Sequence, residues 1–197
     1  MQKSEDITIE GLIIPFCSKT INIRFIRGLN YLKGNNGSGK TLLLDYVSGL
    51  RKDTSSTICG NHSIIYINQS IFFSDRLKGA DFLKFVNKLD NKGRTVSDFF
   101  LFIDKYINET HTIREMLNKQ WGMLSGGEKK FLYITILLSL EREWYILDEP
   151  FAFVDEEKKK IIWKIIWKKI YEGKGMILTS HEKDTEIENN NINVIEI

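Results

Sequence analysis

The sequence predicts an α/β fold with an additional antiparallel layer, and three observations carry that prediction. Apolar strand-length runs alternate with helix-length segments from residue 29 onward. Two amino-terminal segments instead alternate apolar and polar residues on either side of a turn, as half-buried antiparallel strands do. The two most apolar strands, residues 143–147 and 175–179, read as the buried parallel type and are separated by one long helix.

The elements follow in order. Residues 7–12 and 20–25 are the alternating strands, with residues 15–19 as the turn. Residues 29–32 form a short strand that runs into Gly34-Asn35-Asn36-Gly37-Ser38-Gly39-Lys40-Thr41, and residues 41–50 follow as a helix with Gly49 near its end. Residues 63–68 are a strand ending at Gln69, and a helical stretch covers residues 80–117 with one break at Asn91-Lys92-Gly93. The helix at residues 155–171 places six lysines beside Ile161, Ile162, Trp163, Ile165, Ile166, Trp167 and Ile170. Such a pattern also suits a membrane-surface helix, but its place between two parallel strands makes it a crossover helix with its lysines on the solvated face.

Composition narrows the function classes. A chain of 197 residues with 42% hydrophobic side chains can bury one substantial core. Its 28 basic and 26 acidic residues nearly cancel, which disfavours a nucleic-acid-coating surface. Cys17 and Cys59 lack metal-type spacing, so two buried free thiols in a reducing compartment are expected. Residues 1–10 are polar and acidic, unlike a secretory leader, and the longest apolar run, residues 131–140, is far short of the roughly 20 residues that cross a bilayer. A cytoplasmic location follows as the expectation.

Two loops carry phosphate chemistry. In the first, glycines let successive backbone N–H groups point at anionic oxygens, Lys40 reaches the terminal phosphates, and Thr41 offers its hydroxyl to magnesium. The helix behind it adds its positive dipole end. In the second, Ser125 caps a helix beginning at Gly126 and leaves the N–H groups of Gly126 and Gly127 open, a second anion site. Between these motifs and the last core strand, Asp148 and Glu149 end an apolar run. Neighbours on a strand point opposite ways, so Asp148 is suited to hold magnesium and Glu149 to polarise an attacking water. His62 and His111 have no ligand neighbours at metal spacing, and Trp121 reads as packing.

Over essentially its whole length the chain resembles the ATP-binding cassette (ABC) ATPases. The phosphate loop, Gln69 after a strand, Leu124-Ser125-Gly126-Gly127-Glu128, the strand end Ile146-Leu147-Asp148-Glu149-Pro150, Asp155, and Thr179-Ser180-His181 occur in that family's order. The resemblance implies a P-loop NTPase (RecA-like) core with an N-terminal antiparallel β layer and an inserted α-helical subdomain at about residues 72–135, all within one nucleotide-binding domain spanning residues 1–197. It implies ATP and Mg2+ as cofactors. Asn35, Asn36, Gly37, Ser38, Gly39, Lys40, Thr41 and Leu42 are then ATP-binding, with Phe16 as the adenine-stacking ring. Thr41, Gln69 and Asp148 serve the metal. Glu149 is the general base, Gln69 reaches the attacking water, and His181 contacts the γ-phosphate. Ser125, Gly126, Gly127 and Glu128 contact ATP held by an opposing subunit, with Asp155 at the same interface.

What the resemblance implies about partners is a homodimer or heterodimer of ATPase subunits and a transmembrane permease, docked on residues 70–85, so that the chain is peripheral to the membrane. Several residues depart from the family's habits. Glu128 stands where glutamine is commoner, Phe131 where arginine is frequent, and Phe151-Ala152-Phe153-Val154 precedes Asp155 in place of small polar residues. An alternative is a soluble ABC-type ATPase acting on nucleic acid or ribosomes. Against it, the roughly 55 residues between Gln69 and Ser125 leave no room for long coiled coils, and the chain has one cassette rather than two. A nucleotide-dependent binding module without turnover is a third reading. No direct nucleic-acid contact is expected.

Overall fold

The computed structural model describes residues 6–14, 20–52, 54, 56–70, 72–107, 110–180, 185–188, 190 and 192–197. Phe16, Cys17, His181 and the turn at residues 15–19 lie outside them. The chain divides into two compact units, one of Met1–Gln69, Arg142–Pro150 and Lys168–Ile197, the other of Ser70–Glu141 and Phe151–Trp167.

The first unit holds both sheets. Strands β1 (Ile7–Ile13), β2 (Thr20–Phe25) and β4 (Thr57–Cys59) form an antiparallel sheet in the order β2-β1-β4. Strands β3 (Gly28–Lys33), β5 (Ile64–Ile67), β6 (Trp144–Asp148), β7 (Gly175–Thr179) and β8 (Asn193–Glu196) form a parallel sheet in the order β5-β6-β7-β3-β8. Every residue of β6 and β7 is buried, which is why these two strands read as continuous apolar runs. Helix α1 (Lys40–Ser48) ends on Gly49, whose φ of 80° is left-handed. Its Leu43, Leu44 and Val47 share one apolar cluster with Ile7, Ile9 and Leu12 of β1 and with Trp144, Ile146 and Ile177 of the parallel sheet. That cluster attaches the antiparallel layer to the core.

The second unit is helical: α2 (Gly79–Asp90), α3 (Val96–Ile103), α4 (His111–Asn118), a 3₁₀ turn (Trp121–Met123), α5 (Gly126–Leu138) and most of α6 (Glu156–Tyr171). A second core sits here. Trp121 is buried among Phe73 and Phe82 at ring separations of 5.5 and 5.2 Å, the packing role read from the sequence.

Three expectations are corrected, and two strands are added to those the sequence predicts. The helical stretch at residues 80–117 is three helices. Besides the break after α2, a second break follows α3, where Asp104, Lys105 and Tyr106 form turns. β4 and β8 were not predicted: β4 is too short to show a period, and β8 lies in a polar, Asn-rich tail. Cys59 is exposed rather than buried, because in β4 only Ile58 of the alternating triplet turns inward. Lys169 is not on a solvated face: it is 1% exposed, donates to the Tyr145 hydroxyl at 2.9 Å, and has its ammonium 4.7 Å from that ring's centre.

Candidate active site

The parallel strands deliver their carboxyl ends to the same edge of the sheet, the place where open α/β sheets hold ligands. β3 runs into the phosphate loop, β5 into Gln69, β6 into Asp148 and Glu149, and β7 ends at Thr179. Asn36, Gly37, Gly39, Lys40, Thr41, Leu42, Gln69 and Glu149 line a pocket of about 560 Å³ there.

The loop is built by its glycines. Gly37 and Gly39 have φ of 80° and 98°, a region L side chains rarely adopt. Gly34 is required by space instead: a Cβ there lies 2.5 Å from Ser38 Oγ and 2.8 Å from the Ile197 carbonyl. α1 starts on Gly39 with no side-chain cap, so its first-turn N–H groups remain open to an anion. Lys40 is only 7% exposed, and its Nζ donates to the carbonyls of Gly34 and Asn35 at 2.7 and 3.0 Å, which leaves one ammonium proton unused among the described residues. Ser38 Oγ is buried without a hydrogen-bond partner among them. An orphaned hydroxyl, a free ammonium proton and an uncapped helix end together fit a triphosphate.

Magnesium also fits the donor set. The Thr41 hydroxyl donates to Asp148 Oδ2 at 2.8 Å, so two hard oxygens from β6 and α1 converge on one point. Magnesium takes one or two protein oxygens and completes its shell with water and phosphate. Among the described residues no group of three or more His, Cys, Asp or Glu forms a metal cage.

Glu149 does not point away from Asp148 through strand alternation, as the sequence suggested. β6 ends at Asp148, and Glu149 takes a left-handed φ of 49°, so a strained turn redirects its carboxylate. Gln69 Nε2 donates to Glu149 Oε2 at 2.8 Å. A carboxylate held beside the phosphate loop in this way can accept a proton from a water.

Thr179 escaped the sequence reading as a site residue. Its hydroxyl donates to Asp148 Oδ1 at 2.6 Å and accepts the Glu149 N–H at 2.9 Å, so it orients both acids. Tyr66, whose hydroxyl lies 3.4 Å from Asp148 Oδ2, was missed as well. The available signal for Thr179 was its position: a buried hydroxyl ending an apolar strand, directly paired with Asp148 once β6 and β7 are in register.

Ser125, Gly126, Gly127 and Glu128 belong to the second unit. Ser125 Oγ accepts the Glu128 N–H at 3.2 Å and Glu128 Oε2 accepts the Ser125 N–H at 2.8 Å, a capping box that opens α5. Gly126 has open space around it, and a Cβ on Gly127 would lie 2.5 Å from the Phe153 carbonyl. Asp155 accepts the Lys158 N–H at 3.0 Å and its ammonium as well, and so caps α6. The Ser125 N–H, together with weaker contributions from the Ser125 hydroxyl and Lys119, holds the Glu128 carboxyl below its ordinary pKa of 4.5.

A pH dependence follows from that direction. The stabilisation from Glu128 is present above the unfolded carboxylate pKa and is lost as pH falls through the lower native value. In urea titrations, Glu128→Gln is therefore less stable than the parent at neutral pH, and the gap closes on acidification. A gap independent of pH contradicts the charge-assisted cap. Ser125→Ala costs about 1 kcal/mol in the same titrations.

Residues 27–152 match the family model described as ABC transporter. The chain is 31% identical to the cytochrome c biogenesis ATP-binding export protein CcmA of Reclinomonas americana, over 96% of this chain and 90% of that protein. It is 29% identical to the polysialic acid transport ATP-binding protein KpsT of Escherichia coli, over 84% and 74%. Among solved structures, a Pyrococcus furiosus protein described as an ABC transporter ATP-binding protein superposes with a TM-score of 0.76 at 21% identity, covering 98% of this chain and 97% of its own, which shows a shared fold. The chain belongs to the ABC transporter family, as an ATP-binding, ATP-hydrolysing member with a P-loop NTPase fold.

Proposed function

We propose that the chain is the ATPase subunit of a membrane transporter, that it dimerises on ATP, and that a separate transmembrane permease carries the cargo. The observation that carries this reading is the Gln69–Glu149 hydrogen bond of 2.8 Å beside the phosphate loop. It joins the proton acceptor to the residue that immediately precedes the helical unit beginning at Ser70.

In this reading Lys40 and the open N–H groups of α1 bind the β and γ phosphates, with Ser38 supplying the hydroxyl that has no partner among the described residues. Thr41 and Asp148 hold magnesium, which when bound neutralises the charge that develops on the transferred phosphate. Thr179 keeps Asp148 and Glu149 in place, Glu149 accepts the proton of the attacking water, and Gln69 orients that water. His181 serves the γ-phosphate and Phe16 the adenine ring. The Ser125–Glu128 loop serves ATP bound by the opposing subunit, with Asp155 at the same interface. Residues 1–197 act as one nucleotide-binding domain in which about 72–135 form a helical subdomain.

No helix among the described residues is long and apolar enough to cross a membrane, which fits a separate permease as the spanning part. Phe72, 94% exposed, and Leu77 lie in the segment assigned to permease docking. Relatives of similar identity are named for different systems, cytochrome c biogenesis and polysialic acid transport. That divergence is expected if cargo is selected by the permease.

Glu149→Gln removes the proton acceptor and keeps the Gln69 contact, so with magnesium and ATP it accumulates as a closed dimer. Size-exclusion chromatography with light scattering then doubles the particle mass when ATP is added, while ADP does not. Monomer at all ATP levels refutes self-association. Recovery of ribosomes or nucleic acid, and no multispanning protein, in a mild-detergent pull-down refutes the transporter reading.

A further inference from the structure

The helical unit carries a second pocket, of about 320 Å³, formed by Lys84, Asn87 and Lys88 of α2 and by the turn through Asn91 and Arg94 into α3. It shares no residue with the ATP site, and only Lys84 of its lining falls within residues 70–85, the segment proposed for permease docking. Its shape comes from two left-handed residues, Asn91 and Gly93, with φ of 52° and 67°. They turn the chain sharply at the end of α2 and bring it back against that helix. Asn87, 8% exposed, fastens the turn by donating to the Thr95 carbonyl at 3.2 Å.

The pocket is cationic and rigid on one side. Arg94 has Nε 3.4 Å from the fully buried Asp90 carboxylate, and Nη1 donates to the Ser139 carbonyl, so the guanidinium is fixed in place. Lys84 and Lys88 stand one turn apart on α2 and make no ion pair among the described residues. Like charges at this spacing repel, and a bound anion relieves the repulsion. Asp90 offsets the charge of Arg94, and Asp98 Oδ2 accepts the N–H and hydroxyl of Thr95, so the excess positive charge of the cluster is that of Lys84 and Lys88.

An apolar ridge runs beside the cations. Phe85 and Leu89, 52% and 69% exposed, are also one turn apart and follow Lys84 and Lys88 around the helix. Two unpaired lysines one turn apart beside a rigid turn suit a phosphate, and an adjoining exposed Phe and Leu suit the layer between headgroups and acyl chains. We propose that this pocket binds the phosphate of an anionic lipid headgroup, with Phe85 and Leu89 entering the membrane interface next to it. The proposal goes beyond the ATPase reading and does not depend on it.

Co-sedimentation of the full chain with phosphatidylcholine vesicles, with and without phosphatidylglycerol, tests it. Binding is expected only with phosphatidylglycerol. It falls roughly thirtyfold in Lys84→Ala/Lys88→Ala, the effect of removing two lysines from an anionic surface, and is unchanged in Lys160→Ala/Lys164→Ala, which removes equal charge from α6. Phe85→Ser/Leu89→Ser also weakens it. All four lysines are exposed, so folding is retained and is checked by thermal unfolding. Equal loss in both lysine pairs means diffuse attraction and overturns the proposal, as does absence of vesicle binding. Displacement by inorganic phosphate with no effect of Phe85→Ser/Leu89→Ser assigns the pocket to a soluble phosphate and overturns the lipid.

Discussion

Lys40→Ala lowers ATP hydrolysis by at least about a hundredfold, and also removes the thermal stabilisation that ATP gives the parent protein. The side chain is buried at the base of the pocket, and the described residues satisfy only two of its three protons. Its free proton and full positive charge sit where the loop glycines and the α1 N-terminus converge. A single preorganised donor at developing charge is worth about a hundredfold to a thousandfold, and Lys40 adds a net charge to that. The binding arm reads out independently of turnover. A ligand at a hundred times its Kd stabilises the fold by about 2.7 kcal/mol, so the parent's unfolding midpoint rises with ATP and the variant's does not. Lys40→Arg does not rescue, because a planar guanidinium cannot occupy the space between two loop carbonyls that a single ammonium fills. Retained ATP stabilisation in Lys40→Ala removes Lys40 from the binding site.

The site was readable where its chemistry is local in the chain. The phosphate loop encodes its own backbone through Gly34, Gly37 and Gly39, and the Ser125–Glu128 box is complete within four residues, so both could be placed before any fold was known. What required the fold is long-range register. Thr179 meets Asp148 only because β6 and β7 pair Trp144 with Gly175 and, four residues on, Asp148 with Thr179. The left-handed turn at Glu149 is likewise invisible in a sequence that puts a glutamate, not a glycine, there.

Other misses had a signal. Lys169 falls on the same helical stripe as Ile162, Ile165 and Ile166, so the period placed it inward although its charge argued outward. Thr95 and Asp98 have the spacing of a capping box, which marks the start of α3. β4 and β8 had none, since strands of three and four residues acquire their identity only from the neighbours they pair with.

Gly175→Ala destabilises the protein by roughly 1–3 kcal/mol, and the sign of that effect identifies its cause. Glycine is intrinsically poor in a strand, and Gly175 opens β7, so on backbone entropy alone alanine gains up to about 0.5–1 kcal/mol. Here a Cβ lands 2.3, 2.4 and 2.5 Å from Cε3, Cζ3 and Cδ2 of Trp144, its partner across β6 and β7. The indole cannot retreat easily: it is fully buried in the core cluster and covered by the Arg27 guanidinium 4.9 Å from its ring centre, which in turn donates to the Glu143 carbonyl at 2.7 Å. The methyl therefore forces the two central strands apart at the pair that sets the Asp148–Thr179 register. Trp144→Leu leaves a cavity and costs about 3 kcal/mol alone, yet it makes room for the added methyl. Urea unfolding of Gly175→Ala, Trp144→Leu and the double variant should show the double less destabilised than the sum of the singles by about 0.5–3 kcal/mol. Strict additivity would show that Gly175 is set by something other than the indole, and a stabilised Gly175→Ala would remove the clash altogether.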